Sequence, residues 1–180
     1  MRLPAKIPLL AAAALLALAG CGPVGPSTPM AALQQEFGGT EISRVYPFRA
    51  ELGHGSYLYF LQLKGPAAAP TAAIVLKQSG HWSVWEFSTI EVLTGCKEPA
   101  AVAVTPVGTV RPPARAPTVI AGRIQGSAQV GGLLYTIGRH SYPATLLPDG
   151  FWYTVTNGQG GRLTIHLSDQ RGAPIPFCSA

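Results

Sequence analysis

Along most of its length the chain alternates apolar and polar residues with a period of two, in short runs punctuated by Gly, Pro, Asn and Ser. Such alternation predicts half-buried β-strands. The runs are Glu41 to Arg49, Gly55 to Lys64, Thr71 to Gln78, His81 to Leu93, Val119 to Gln125, Leu133 to Arg139, Phe151 to Thr156 and Arg162 to Ser168. In the second run Tyr57, Tyr59, Leu61 and Leu63 share a face that reads as inward, while Leu58, Phe60, Gln62 and Lys64 share an outward one. Ser79-Gly80 predicts a hairpin link, and Asn157 to Gly161 predicts another between the last two runs. Leu147-Pro148-Asp149-Gly150 is a further turn signal. Helical spacing occurs once. Thr28 is placed to cap a helix with Pro29 at its first position, Met30, Leu33 and Phe37 on one side, and a stop at Gly38-Gly39.

The pattern therefore predicts a mainly β fold: a single β-sandwich or small β-barrel of about eight to ten strands with one short N-terminal helix. Glu98 to Thr118 reads as its seam, because Pro99, Pro106, Pro112, Pro113 and Pro117 surround the apolar segment Ala101 to Val110. Proline donates nothing to a ladder, so strands there are expected at a sheet edge. Arg111 to Pro117 has the composition of a polyproline-type connector and reads as an inter-strand loop.

The first two dozen residues follow a different rule. Arg2 and Lys6 precede an apolar run from Ile7 to Ala19, which gives way at Gly20-Cys21 to Gly, Pro and Ser. This is the layout of a secretory signal peptide, and the run is shorter than the roughly 20 residues a membrane-spanning helix needs. Leu18-Ala19-Gly20-Cys21 resembles the lipobox of bacterial lipoprotein precursors. The resemblance implies a thioether-linked lipid on Cys21, which becomes the first mature residue, with roughly two or three acyl chains in all and stable membrane attachment. It also implies that Gly22, where such proteins carry Asp for inner-membrane retention, favours the outer membrane, facing the periplasm, in a Gram-negative cell; otherwise the outer face of the cell membrane is expected. The chain then divides into a signal peptide (1–20), a Pro/Gly tether (21–29) and a mainly β domain (30–180).

Charge and chemistry narrow the function by exclusion. Losing residues 1–20 removes Arg2 and Lys6, so the formal charge falls from +5 to +3 and 160 residues remain. The remaining cations are scattered, without the clusters that track a nucleic-acid backbone, so no nucleic-acid partner is expected. Of three cysteines, Cys21 is assigned to lipid, which leaves Cys96 and Cys178 as one disulfide in an oxidising compartment. No HExxH, CxxC, phosphate loop or GxSxG elbow is present, and no cofactor, metal ligand set or catalytic residue is assigned. The aromatic stretch His81 to Phe87 is the remaining candidate. His81, Ser83, Trp85 and Phe87 are expected on one face and Trp82 and Val84 on the other, with a bulge or change of face at Ser88-Thr89. Trp82, Trp85 and Glu86 form a possible ligand site.

Three functions are compatible with this reading: a structural or interaction module of the cell envelope, a carbohydrate- or peptide-binding domain that uses exposed aromatics, and an envelope hydrolase with Glu86 and Glu91 as a carboxylate pair. The partners expected are membrane lipid through acylated Cys21 and an envelope protein or glycan. Arg139-His140-Ser141-Tyr142 near Asp149 is a weaker polar cluster, since adjacent His140 and Ser141 point to opposite sides of an extended strand.

Overall fold

The computed structural model describes residues 25–65, 69–110, 117–157 and 163–179; Cys21 and the signal segment lie outside them. One helix, α1 (Pro29–Phe37), precedes β1 (Ile42–Gly53), β2 (Ser56–Leu63), β3 (Pro70–Gln78), β4 (His81–Thr89), β5 (Ala100–Thr109) and β6 (Thr118–Gly126). There follow β7 (Val130–Ile137), β8 (His140–Pro143), β9 (Thr145–Leu146), β10 (Phe151–Thr156), β11 (Leu163–Asp169) and β12 (Phe177–Ser179). The described residues are thus mainly β with one short α-helix. Its strands form three sheets, ordered β1-β2-β3-β4, β12-β5-β6-β10-β9 and β11-β7-β8.

Twelve described strands in three sheets replace the expected eight to ten in one sandwich or barrel. The reason lies in how the apolar side chains divide. Tyr46, Leu58, Phe60, Ala72 and Ile74 of the four-stranded sheet pack against Ala103, Val107, Val119, Ala121 and Phe151 of the five-stranded sheet. The opposite face of that second sheet sends Ala100, Val102, Ile120 and Trp152 against Leu133, Tyr135 and Leu167 of the three-stranded sheet. Outside the first sheet, Tyr59, Leu61, Ala73 and Val75 pack under Ala32 and Leu33 of α1. The order of layers is helix, four strands, five strands, three strands.

Strands covered on both faces lose the polar half of the alternation. In β3, Ala72, Ala73, Ile74 and Val75 are all fully buried, two toward each neighbouring layer. On the face of β2 expected to be outward, Leu58 and Phe60 are instead fully buried between two sheets, whereas Gln62 is half-buried and Lys64, just past the strand, is exposed. Close approach in the middle layer depends on Gly122, where an added Cβ would strike the Trp152 ring and the Ala103 carbonyl. Burial of Tyr135 raises its pKa above the ordinary phenol value by desolvation.

Several connections also differ from expectation. β10 and β11 do not form a hairpin: β10 pairs with β6 and β9, whereas β11 pairs with β7 in another sheet. The link across residues 158–162 lies outside the described residues. The expected seam is an internal layer, for β5 runs through Pro106 as one strand and pairs with β6 from Ala100 to Thr109. The prolines do place β5 near an edge, since its other side pairs only with the three-residue β12, at Ala100 to Val102. Residues 111–116 of the proposed connector lie outside the description.

Helix α1 begins as expected, with the Thr28 hydroxyl accepting the Ala31 amide at 3.1 Å and Pro29 in the first turn. Its buried side is formed by Ala32 and Leu33, with Phe37 partly covered, while Met30 is 37% exposed. Cys96 and Cys178 are joined by a disulfide with a Cα separation of 6.0 Å. The bond ties the segment after β4 to β12, across 82 residues.

Candidate functional site

Trp82, Trp85 and Glu86 all lie on β4, and the structure separates them by a bulge. Ile74 of β3 faces Glu86 and Val75 faces Val84, so Trp85 is the extra residue. The bulge falls at Trp85, earlier than the Ser88-Thr89 position expected from the alternation. Its consequence is that Trp85 and Phe87 do not share a face. Trp82 and Val84 lie with the outer core beneath α1, and Phe87 meets the Phe37 ring of the helix edge-on at 4.9 Å. Trp85 turns the other way and packs against the inner core.

Glu86 goes inward with Trp85 and meets the bulged part of β5. Its carboxylate accepts the Thr109 backbone N–H at 2.7 Å. The Trp85 indole N–H donates to the Thr109 hydroxyl at 3.4 Å, and the Thr105 hydroxyl donates to the Thr89 carbonyl at the same distance. Gly108 gives the carboxylate its space, since a Cβ there would collide with it. β5 has a register shift between Pro106 and Gly108, and the contacts from β4 hold it at that point. A charged acceptor on an edge amide is among the stronger protein hydrogen bonds and also closes that edge to another strand. Glu91, the second member of the proposed carboxylate pair, is exposed beyond the end of β4. Glu86 and Trp85 thus serve to clamp two sheets together.

Trp82 has different surroundings. It is half-buried, its ring lies 5.7 Å from Tyr57, and its backbone N–H donates to the Pro26 carbonyl at 2.9 Å. Gly25 and Pro26, within the expected Pro/Gly tether, lie against β4, and Gly25 is so close to His81 that a Cβ would fall 2.8 Å from its ring. Lys77 brings its ammonium to 5.8 Å from the Trp82 centroid, and Arg49 places its guanidinium 4.9 Å from that of Tyr57. Arg49 is also held more firmly protonated than usual, first by its 3.4 Å hydrogen bond to the Tyr59 hydroxyl and then by charge interaction with the same group. Arg49, Tyr57 and Lys77 were not among the sequence candidates. No local motif joins them, because only strand register sets them beside Trp82.

A second concavity, a cleft of 610 Å³, is lined by Arg123, Gln125, Val130, Leu146, Asp149 and Gly150. Asp149 forms an exposed ion pair with Arg44 at 3.4 Å, and its carbonyl accepts Arg123 Nε at 3.1 Å. Asp149 is thus engaged by Arg44 and Arg123, while His140 and Ser141 are exposed at the start of β8, where Ser141 shares a 3.0 Å hydrogen bond with Thr136. Among the described residues no three His, Cys, Asp or Glu side chains converge as a metal site. Nor is any described helix long and apolar enough to cross a membrane.

No family model matches the chain, and no similar curated protein or solved structure was found.

Proposed function

We propose that the protein is a lipid-anchored component of the cell envelope whose layered β domain acts as a structural or interaction module. Cys21 carries the lipid, and the domain faces the periplasm from the outer membrane of a Gram-negative cell, or lies outside the cell membrane of an organism with one. The observation that carries this reading is the division of the three cysteines. Cys96 and Cys178 are paired in the fold, as suits an oxidising compartment, and the third stands at the end of a signal-like segment in a lipobox-like context. The use of Glu86 as a backbone clamp favours a module over the hydrolase alternative.

The test is the intact mass of the protein taken from membranes. The expected chain begins at Cys21, carries acyl chains, and has Cys96 and Cys178 shielded from alkylation until reduction. Cys21→Ser is expected to remain at precursor mass without lipid. A mature protein with a free Cys21 thiol, or one cleaved elsewhere, overturns the reading.

A further inference from the structure

One row of side chains crosses all four strands of the first sheet beside the point where the described chain begins. Arg49 comes from β1, Tyr57 from β2, Lys77 from β3 and Trp82 from β4. The contacts run in sequence: Arg49 over Tyr57 at 4.9 Å, Tyr57 to Trp82 at 5.7 Å, and Lys77 over Trp82 at 5.8 Å. Both rings are half-buried against the outer core, whereas Arg49 and Lys77 are exposed. Amphipathic rings flanked by cations are suited to a membrane interface, where the ring bodies meet apolar matter and the cations meet phosphate. Glu51 is the carboxylate acting on Arg49, and Glu36 lines a small cleft with Trp82 and Pro26, so the two cations are matched in number by two nearby carboxylates and the pull on phosphate is local to the Arg49 and Lys77 side chains beside the rings.

Chain length supplies the second observation. Three residues separate Cys21 from Gly25, and the four Cα–Cα steps between them reach about 14 Å when fully extended. A headgroup layer takes up roughly 5–7 Å of that span. With Gly25 against His81 and Pro26 bonded to Trp82, the surface beside them stays close to any membrane that holds Cys21.

We propose that the Arg49-Tyr57-Trp82-Lys77 row is the membrane-facing surface of the domain and docks on the anionic phospholipid headgroups of the leaflet in which Cys21 is anchored. This rests on the lipid-anchor reading of the previous section. Lipid and row act as two linked contacts, so the short connector raises the local concentration of headgroups at the row. The domain then lies with its outer face, α1 together with the uncovered part of the four-stranded sheet, toward the bilayer and its three-stranded sheet away from it.

The experiment uses the full processed protein reconstituted into vesicles of phosphatidylethanolamine and phosphatidylglycerol whose acyl chains are brominated near the headgroup. Trp82→Phe serves as the blank for the other two tryptophans. Bromine is expected to quench the Trp82 component, and Arg49→Gln or Lys77→Gln to weaken docking by about fivefold each in its equilibrium constant. Replacing phosphatidylglycerol by phosphatidylcholine is expected to do the same to both cations at once. Protein that floats with the vesicles while its Trp82 component remains unquenched overturns the docking but leaves the anchor standing. Quenching that is equal in phosphatidylcholine overturns the anionic headgroup as the partner. Protein that lacks acyl chains and fails to float overturns both readings. A Trp82 response to soluble glycan or peptide without lipid assigns the row to another ligand and overturns the proposal.

Discussion

The inner and outer faces of the four-stranded sheet are built on different terms. Inside, Tyr46, Phe60 and Phe151 are at most 5% exposed, and Phe60 and Phe151 have ring centroids 4.7 Å apart. Outside, a nine-residue helix lies over the β3 and β4 side of the sheet and leaves Tyr57 and Trp82 half-buried beside cations. The inner face is fixed by close packing, and any change of volume is felt there. The outer face has less packing around its aromatic rings and keeps its polar edges available. The difference explains why residues from one strand, β4, have separate roles: its bulge sends Trp85 and Glu86 to the first environment and leaves Trp82 in the second.

The largest effect expected from this contrast is in the inner core. Phe60→Ala removes a fully buried ring that touches both Phe48 and Phe151. A loss of about 3–5 kcal/mol is expected from such a truncation, read from the midpoint of denaturant unfolding. A loss under about 1 kcal/mol would mean that the two sheets are not held by this core, and the contrast would collapse.

Much of this division was legible only in part. The Thr28-Pro29 start of the helix and most strand positions follow from local chemistry, since capping and alternation are set within a few residues. The stack of three sheets was harder to read because alternation reports whether a strand has a wet face, and β3 has none. Ala72 to Leu76 is a continuous apolar run, which is the mark of a strand between two layers. Cys96 and Cys178 were legible by counting. The clamp was not, since Glu86 meets Thr109 only after β4 bulges and β5 returns alongside it. Nor was the Arg49-Tyr57-Trp82-Lys77 row, whose members lie on four strands and meet through register alone.

A smaller effect is expected where the two sheets meet at the bulge. Trp85 is half-buried, so Trp85→Ala is expected to cost about 2–3 kcal/mol, somewhat below the full-burial range. Thermal unfolding followed with Trp85→Phe beside it separates lost volume from the lost indole N–H, because phenylalanine restores most of the volume. If alanine and phenylalanine prove equally costly, the contact to Thr109 outweighs the packing.

Glu86→Gln keeps the shape of the clamp and removes its charge. The Thr109 amide retains a neutral acceptor, so the expected loss is about 1 kcal/mol, the difference between charge-assisted and neutral hydrogen bonds. Hydrogen exchange at the Thr109 amide gives the direct measurement. Protection there should fall while that of the Val119 and Ala121 amides in β6 changes little. Equal loss throughout β6 would show that the carboxylate supports the whole middle sheet rather than the end of β5.

The smallest effect is expected on the outer face. Lys77 is exposed, and its 5.8 Å distance from the Trp82 centroid is near the outer limit of a useful cation–π contact. Lys77→Gln should therefore change stability by less than about 0.5 kcal/mol. A double-mutant cycle with Trp82→Leu isolates the pair, and a coupling below about 0.5 kcal/mol is expected from an exposed contact at this distance. Coupling above about 1 kcal/mol would instead mean that the outer row is locked as firmly as the inner core. The row would then owe its arrangement to folding stability, and its cations would no longer stand apart from the structural work done by Glu86 and Trp85.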